Sequence, residues 1–183
     1  MVGALLAGGA GRRMGGSKAA RTLGGRPLAT YPAAALAAVC ERVAVVAKAG
    51  DELPPLEGVE RWDEPAEPRH PLTGIVHALE RAGEPVLVCA ADMPFVTPEA
   101  LRTLIAAGGH AQAAVAVAAG VLQPVLGMYA PGALDVLRAA PADAPLTRTV
   151  EALDPVRVAL PPPLVRSVDT LEELAQAEAE LRG

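Results

Sequence analysis

Short, continuously apolar runs alternate with helical patterns along the first half of the chain. The apolar runs are Val2 to Ala7, Arg42 to Ala47 and Pro85 to Ala91, each followed by a glycine or a charged residue. Runs of this kind are typical of strands that are covered on both faces in a parallel sheet. The sequence therefore predicts three buried strands at these positions.

Three segments that follow these runs have helical character. They are Leu28 to Val39, Gly74 to Ala82, and Pro98 to Ala107. The third carries its own start signal, since Thr97 is a favoured N-cap residue and Pro98 suits the first helical position. Strands that alternate with helices predict right-handed crossovers and an α/β fold, in which a mostly parallel central sheet lies between two helical layers as a three-layer α/β/α architecture.

The second half of the chain is less regular but continues the alternation. The sequence ends on a capping box, Thr170 to Glu173, that predicts a helix running to about Leu181. No repeat or clear boundary interrupts the chain, so residues 1–183 are expected to form a single domain. The remaining predicted elements are strands at Gln112–Ala118, Gln123–Tyr129 and Pro155–Leu160, helices at Leu134–Ala140 and Leu146–Leu153, and a stiff proline spacer at Pro161–Pro163.

Composition narrows the classes of function. The net charge of -5 and the 2% aromatic content disfavour a nucleic-acid-binding surface. No apolar run approaches the roughly 20 residues that cross a bilayer, and the first residues lack the pattern of a signal peptide. We therefore expect a cytoplasmic protein without membrane contact. Cys40 and Cys89 have no metal-site spacing and are expected to be buried thiols.

The first apolar run leads directly into a glycine-rich, cationic segment, LLAGGAGRRMGGSK (residues 5–18). Glycines let the backbone turn sharply and present N–H groups to an anion, and Arg13 and Lys18 add positive charge. The spacing matches neither the P-loop, which needs Gly-Lys-Ser/Thr, nor the dinucleotide fingerprint GxGxxG. The segment is interpreted as a phosphate loop of another kind, with an ordinary surface loop as the alternative.

Asp92 follows the third apolar run and precedes Pro94. It is therefore expected at the carboxyl edge of the sheet, where ligands bind in folds of this class. A carboxylate in that position can hold Mg²⁺, which takes one or two protein carboxylates and completes its shell with phosphate and water. The alternative role, capping the next helix, already belongs to Thr97.

A segment rich in proline and charge, RWDEPAEPRHPLTG (residues 61–74), lies between a predicted strand and a predicted helix. Asp63 is expected at the end of that strand, on the same sheet edge as Asp92, where it can accept hydrogen bonds from a base or sugar. Glu64 is expected to be a solvated charge. His70 is a candidate for a lid or substrate-side role, with a plain surface residue as the alternative.

Taken together, these motifs resemble the MobA-like nucleotidyltransferases. The likeness rests on LLAGGAGRRMGGSKA, on residues 63–74 and on CAADMPFVTPE, and continues through QPVLGMY (123–129) and SVDTLEEL (167–174). It implies a Rossmann-like nucleotidyltransferase fold and, most closely, transfer of GMP from GTP to molybdopterin with release of pyrophosphate and a requirement for Mg²⁺. It also implies transient contact with molybdoenzymes or cofactor-delivery proteins.

The resemblance gives each matching residue a role. Lys18 matches the lysine that reaches the phosphates. Arg13 is expected to stabilise the negative charge on the same phosphates. Asp63 matches an aspartate of the nucleotide pocket, and Asp92 matches the metal-binding aspartate. The family's LAGG motif, whose backbone lies against guanine and ribose, is Leu6, Ala7, Gly8 and Gly9 here.

Several departures keep alternatives open. Gly8 favours GTP, because the family's cytidylyltransferases resemble LAAG at this point. Asp169 stands where asparagine is common, and an aspartate at this position is also seen in the cytidylyl relatives, so CTP remains the alternative donor. Asp169 either binds metal or substrate or simply starts the last helix. Ser17 replaces a common aspartate. A further alternative is an adaptor that binds nucleotide or cofactor without transfer, which retention of Lys18 and Asp92 disfavours.

Overall fold

The protein is described by a computed structural model that covers residues 1–8, 18–141 and 144–182. The strands are β1 (Val2–Leu6), β2 (Thr22–Leu23), β3 (Arg26–Pro27), β4 (Arg42–Lys48), β5 (Val59–Glu64), β6 (Val86–Ala90), β7 (Ala113–Ala118), β8 (Val121–Tyr129) and β9 (Val156–Ala159). The helices are α1 (Thr30–Ala37), α2 (Pro71–Ala82), α3 (Pro98–Gly108), α4 (Leu134–Ala139), α5 (Leu146–Glu151) and α6 (Leu171–Arg182).

Seven strands form one sheet in the order β5-β4-β1-β6-β8-β7-β9. β4, β1 and β6 are parallel neighbours, and β5 extends the parallel set beside β4. β8 runs antiparallel to both β6 and β7, and β9 is again parallel to β7. The predicted mostly parallel α/β sheet is therefore confirmed, with β8 as the reversed strand.

Helices cover both faces of this sheet. On one face, Leu36 of α1 and Leu101 of α3 join a core that includes Leu5 of β1. On the other face, Ile75 of α2 and Val150 of α5 belong to a second core cluster. Because successive side chains of β1 and β6 enter opposite clusters, these strands must be apolar throughout, which is the pattern from which they were predicted.

A smaller apolar cluster packs α6 against β2 and the residues that follow β3. Leu23 of β2 and Leu28 pack with Val168 and with Ala177 of α6. The capping box that predicts α6 is present: the Thr170 N–H donates to Glu173 at 2.9 Å, and the Glu173 N–H donates to the Thr170 hydroxyl at 3.1 Å. This packing holds the segment before α6 against the body of the protein.

Some local predictions need correction. α2 begins at Pro71 rather than Gly74, because His70 is its N-cap and accepts the Leu72 N–H at 3.3 Å. The proline spacer continues into a short 3₁₀ helix, Pro162–Val165. Cys89 is buried as expected, but Cys40 is only half-buried. Within the described ranges, none of the helices has the length and apolar character that a bilayer crossing requires.

Gly127 of β8 is required by close backbone approach. A Cβ atom added there would lie 2.8 Å from the Ala114 carbonyl oxygen of β7, and β7 cannot easily move because it is paired with β8 on one side and β9 on the other. We expect Gly127→Ala to lower the free energy of unfolding by about 2 kcal/mol. Urea unfolding checks this against Gly50→Ala, whose new Cβ would meet nothing within 4 Å. Equal stability of the two variants would contradict the assignment.

Candidate active site

A cavity of about 290 Å³ opens at the carboxyl ends of the parallel strands. Strand ends, the following turns and the segment before α6 contribute to its wall, so residues far apart in sequence meet there. The lining residues are Leu6, Ala7, Gly8, Ala19, Val46, Glu64, Pro71, Gly74, Ala90, Ala91, Asp92, Met93, Gln123, Val125, Ser167 and Asp169.

Backbone hydrogen bonds fix the central part of this wall. The Ala7 N–H donates to the Val46 carbonyl at 2.9 Å, and the Ala91 N–H donates to the Leu6 carbonyl at 2.9 Å. These bonds extend the pairing of β1 with β4 and β6 beyond the ends of the strands. They bring the predicted base-binding backbone and the residue before Asp92 to one edge, as the fold class requires.

Asp92 and Asp169 both line the cavity. The Val168 N–H donates to the Asp92 carbonyl oxygen at 2.8 Å, which ties the segment before α6 to the turn after β6. The Ser167 hydroxyl donates to the Asp169 carboxylate at 2.7 Å and holds that side chain in place. Asp169 also lies just before the helix and its N–H donates to Glu173, so it both lines the cavity and belongs to the start of α6.

Glu64, which also lines the cavity, belongs to a buried ion pair. Lys48 and Glu64 are paired residues of β4 and β5, and the Lys48 Nζ lies 3.3 Å from Glu64 Oε1. Their side chains are only 5% and 4% exposed. The Lys48 ammonium group also donates to the Pro65 carbonyl and, at 3.1 Å, to the Pro68 carbonyl. The expectation that Glu64 is solvated is therefore wrong.

Burial and the neighbouring charge act on Glu64 in opposite directions. Burial raises the pKa of its carboxyl group, and the Lys48 ammonium partly counteracts that rise. Its Oε2 atom is buried and has no hydrogen-bond partner among the residues that the structure describes. A buried charged oxygen without a partner is costly, so this atom is a candidate for contact with a ligand.

Asp63 does not line this cavity. Its side chain is half exposed and accepts a hydrogen bond from Arg61 Nε at 2.8 Å. The same guanidinium donates to the Lys48 carbonyl at 2.8 Å and to the Ala49 carbonyl at 3.2 Å, so these two β5 side chains lie beside the turn that follows β4. The prediction that Asp63 binds the nucleotide gains no support from the cavity.

The glycine-rich segment is described only in part. Gly9 and Arg13 lie outside the described residues, and their predicted roles stay predictions. Lys18 is the first residue of a short 3₁₀ helix, Lys18–Ala20. Ala19, the residue after it, lines the cavity. The side chain of Lys18 is outside the described part of the structure. The end of the glycine-rich segment and Asp92 therefore meet at one site. His70, the candidate for a lid or substrate-side role, is the N-cap of α2, and that predicted role stays a prediction.

The sequence held one signal for Glu64 that the motif-based reasoning missed. Trp62 and Glu64 are two positions apart on β5, and residues so spaced share a face of a strand. The large apolar Trp62 must be buried, and is 2% exposed. Glu64 lies on the same buried face of β5 as Trp62, whereas Asp63 lies on the opposite, exposed face.

The sheet order and a cavity at the carboxyl edge are those of an open α/β fold, in which ligands bind at this edge of the sheet. Residues 3–158 match the model of the MobA-like NTP transferase domain, and the chain belongs to this family of nucleotidyltransferases. It is 41% identical over 140 residues to a molybdenum cofactor guanylyltransferase of Cereibacter sphaeroides, a match that spans 70% of this chain and 68% of that protein.

Solved structures agree on the fold. The crystal structure of molybdopterin-guanine dinucleotide biosynthesis protein A from Archaeoglobus fulgidus superposes with a TM-score of 0.78 at 24% identity, covering 100% of this chain and 99% of that one. The 2-C-methyl-D-erythritol 4-phosphate cytidylyltransferase of Thermus thermophilus gives a TM-score of 0.73 at 21% identity, covering 98% of each chain. At such identities the likeness shows the fold alone, and the nucleoside triphosphate chemistry follows from the family.

Proposed function

We propose that this nucleotidyltransferase transfers GMP from GTP to molybdopterin, giving the guanine dinucleotide cofactor and pyrophosphate. The observation that carries the proposal is the meeting of the Leu6–Gly8 backbone, Asp92 and Asp169 in one cavity at the carboxyl edge of the sheet. The names of the relatives at about 40% identity support molybdopterin as the acceptor and GTP as the donor.

The reaction joins the acceptor's terminal phosphate to the α-phosphorus of GTP. A new P–O bond forms as the bond between the α-phosphorus and the bridging oxygen of pyrophosphate breaks. Because the attacking phosphate is already an anion, no strong general base is needed, and catalysis depends on alignment and charge stabilisation. The backbone from Leu6 to Gly9 positions the nucleoside, while Lys18 and Arg13 stabilise charge on the phosphates.

The donor set of the cavity fits Mg²⁺. Asp92 and Asp169 supply carboxylate oxygens, and one or two carboxylates suffice for an ion whose shell is completed by phosphate and water. The described residues contain no cluster of three or more His, Cys, Asp or Glu side chains, which agrees with a metal shared with substrate rather than a closed protein cage. When bound, Mg²⁺ neutralises phosphate charge in the transition state. Asp92 is the residue that would hold it.

Gly8 gives a structural reason to favour the guanylyl branch of the family. A Cβ atom at this position would lie 2.5 Å from Glu64 Oε1, a separation that atoms do not tolerate. An alanine, as in the LAAG pattern of the cytidylyl relatives, therefore does not fit beside Glu64 unless the carboxylate moves. The position of the Glu64 carboxylate in this chain therefore requires a glycine at position 8.

Pyrophosphate release tests the proposal and its alternatives. Protein, Mg²⁺ and molybdopterin are mixed with GTP or CTP, and pyrophosphate is measured with a coupled assay. We expect release with GTP at a kcat/KM at least about 100-fold above that with CTP, which is within the range that hydrogen-bond mismatches produce. Preference for CTP would identify a cytidylyltransferase, and nucleotide binding without any release would identify an adaptor.

A further inference from the structure

The unpartnered oxygen of Glu64 lies where a nucleobase is expected. Glu64 lines the same cavity as Asp92, but it comes from β5, whereas Asp92 follows β6. β4 and β1 lie between these strands, so three sheet spacings, about 14 Å, separate them. A carboxylate beside the triphosphate would repel it, so the Glu64 end of the cavity suits the base and the Asp92 end suits the phosphates.

Two glycines make room for the Glu64 carboxylate. A Cβ atom at Gly8 would lie 2.5 Å from Oε1, and a Cβ atom at Gly74 would lie 3.2 Å from Oε2. The carboxylate therefore occupies the space between the end of β1 and the first turns of α2. A side chain at Gly8 would displace the carboxylate and one at Gly74 would crowd it, so glycine at both positions leaves room for Glu64 beside the cavity.

Lys48 holds the carboxylate in position and favours its charged form, against the effect of burial, which raises the pKa. Its ammonium group has three acceptors around it, namely Glu64 Oε1 and the carbonyls of Pro65 and Pro68. An ionised carboxylate can only accept hydrogen bonds. It therefore selects a ligand edge that presents donors and disfavours one that presents an acceptor lone pair.

Guanine is the nucleobase whose pairing edge presents two adjacent donors, N1–H and the 2-amino group. Adenine and cytosine place a ring-nitrogen acceptor beside one amino donor, and uracil places one N–H between two carbonyl acceptors. We propose that Glu64 accepts the N1–H and 2-amino hydrogens of guanine and is the specificity-determining residue of the base site, with Lys48 as its positioning residue. This inference rests on the proposed function, since it specifies how the GTP donor is recognised.

Binding of analogues by the wild-type protein gives the first test. Isothermal titration calorimetry is done with GTP, with inosine triphosphate, which lacks the 2-amino group, and with 7-deaza-GTP, which keeps both donors. Inosine triphosphate is expected to bind at least about tenfold more weakly than GTP, because a charge-assisted hydrogen bond is lost. 7-Deaza-GTP is expected to bind within about twofold of GTP. Equal affinity for GTP and inosine triphosphate overturns the proposal without any variant.

The variant Glu64→Gln gives the second test. Its amide sets an N–H group against guanine donors while keeping the size of the side chain. GTP affinity is expected to fall at least about tenfold, and the ratio of GTP to inosine triphosphate affinity is expected to collapse toward one. Glu60→Gln is the matched control, since Glu60 lies on the same strand with an exposed side chain, and it should keep the wild-type ratio. Circular dichroism and thermal unfolding verify that both variants fold.

The outcomes separate this inference from the proposed function. If Glu64→Gln binds GTP with the wild-type preference over inosine triphosphate, Glu64 does not recognise the base, whereas guanylyl transfer stands. If Asp63→Asn rather than Glu64→Gln removes the preference, the neighbouring carboxylate is the base-binding group and the inference is wrong. A wild-type protein that prefers CTP, or binds no nucleotide, overturns both proposals.

Discussion

The variant Asp92→Ala is expected to lose nucleotidyl transfer by about 10³-fold in kcat/KM while folding normally. A loss of this size corresponds to about 4 kcal/mol of transition-state stabilisation, which is within the range attributed to metal-assisted charge neutralisation. The side chain lies in the turn after β6 and lines the cavity, so its removal leaves the strand pairing intact. The dependence of pyrophosphate release on GTP concentration, at saturating Mg²⁺ and molybdopterin, gives kcat/KM and measures the effect.

A carboxylate outside the cavity provides the control. Asp135 lies in the first turn of α4, is exposed and does not line the active-site cavity. Asp135→Ala should therefore retain wild-type transfer. Near-normal turnover by a well-folded Asp92→Ala protein would refute the assignment of Asp92 as the metal ligand and would leave Asp169 as the remaining cavity aspartate to test.

Much of the layered architecture could be predicted from local sequence pattern. β1, β4 and β6 are apolar along their length because both of their faces are covered, and that physical requirement is visible in a single sequence. The start of α3 was equally visible: the Ala100 N–H donates to the Thr97 hydroxyl at 3.3 Å, as the N-cap predicts. Local signals of this kind need no knowledge of distant contacts.

Strand order and the reversal of β8 could not be predicted in the same way. They depend on which strands pair across the sheet, and the apolar pattern of β8 does not encode its direction. The early start of α2 has a different cause. His70 is an uncommon N-cap, so the usual Ser, Thr, Asp or Asn signal was missing from the sequence.

In the candidate site, too, local sequence pattern predicted some residues, whereas others depend on how the strands pair. The sequence pointed to the Leu6–Gly8 backbone and Asp92, and the structure brings them into one cavity. It pointed to Asp63, whereas the β5 carboxylate that lines the cavity is Glu64, one position further and therefore on the opposite face of the strand. The pairing of Lys48 with Glu64 depends on the register of β4 against β5, which no local pattern specifies.

Removing one member of that buried pair is expected to have the largest effect on stability. Lys48→Met leaves the Glu64 carboxylate and the Pro65 carbonyl without the ammonium donor, whereas the Pro68 carbonyl keeps the Thr73 hydroxyl at 3.1 Å. We expect a loss of about 3 kcal/mol in the free energy of unfolding at neutral pH, measured by urea denaturation. Arg42→Met is the matched control on the same strand, because Arg42 is half exposed and its ion pairs lie at the surface. The control should lose less than about 1 kcal/mol, and an equal loss in both variants would contradict the burial of the Lys48 pair.

The pH dependence of this loss identifies its cause. Burial raises the pKa of Glu64, and Lys48 opposes that rise, so its removal raises the pKa further. A carboxyl group with a raised pKa in the folded state binds a proton that the unfolded chain does not, so stability falls as the pH rises from the ordinary glutamate pKa through the raised folded value. The deficit of Lys48→Met should therefore be larger at pH 8 than at pH 5. Adding Glu64→Gln to Lys48→Met removes the titrating group, so the double variant should recover most of the stability and lose this pH dependence. A deficit that is the same at both pH values would mean that lost packing around the lysine stem, rather than an unpaired carboxylate, causes the destabilisation.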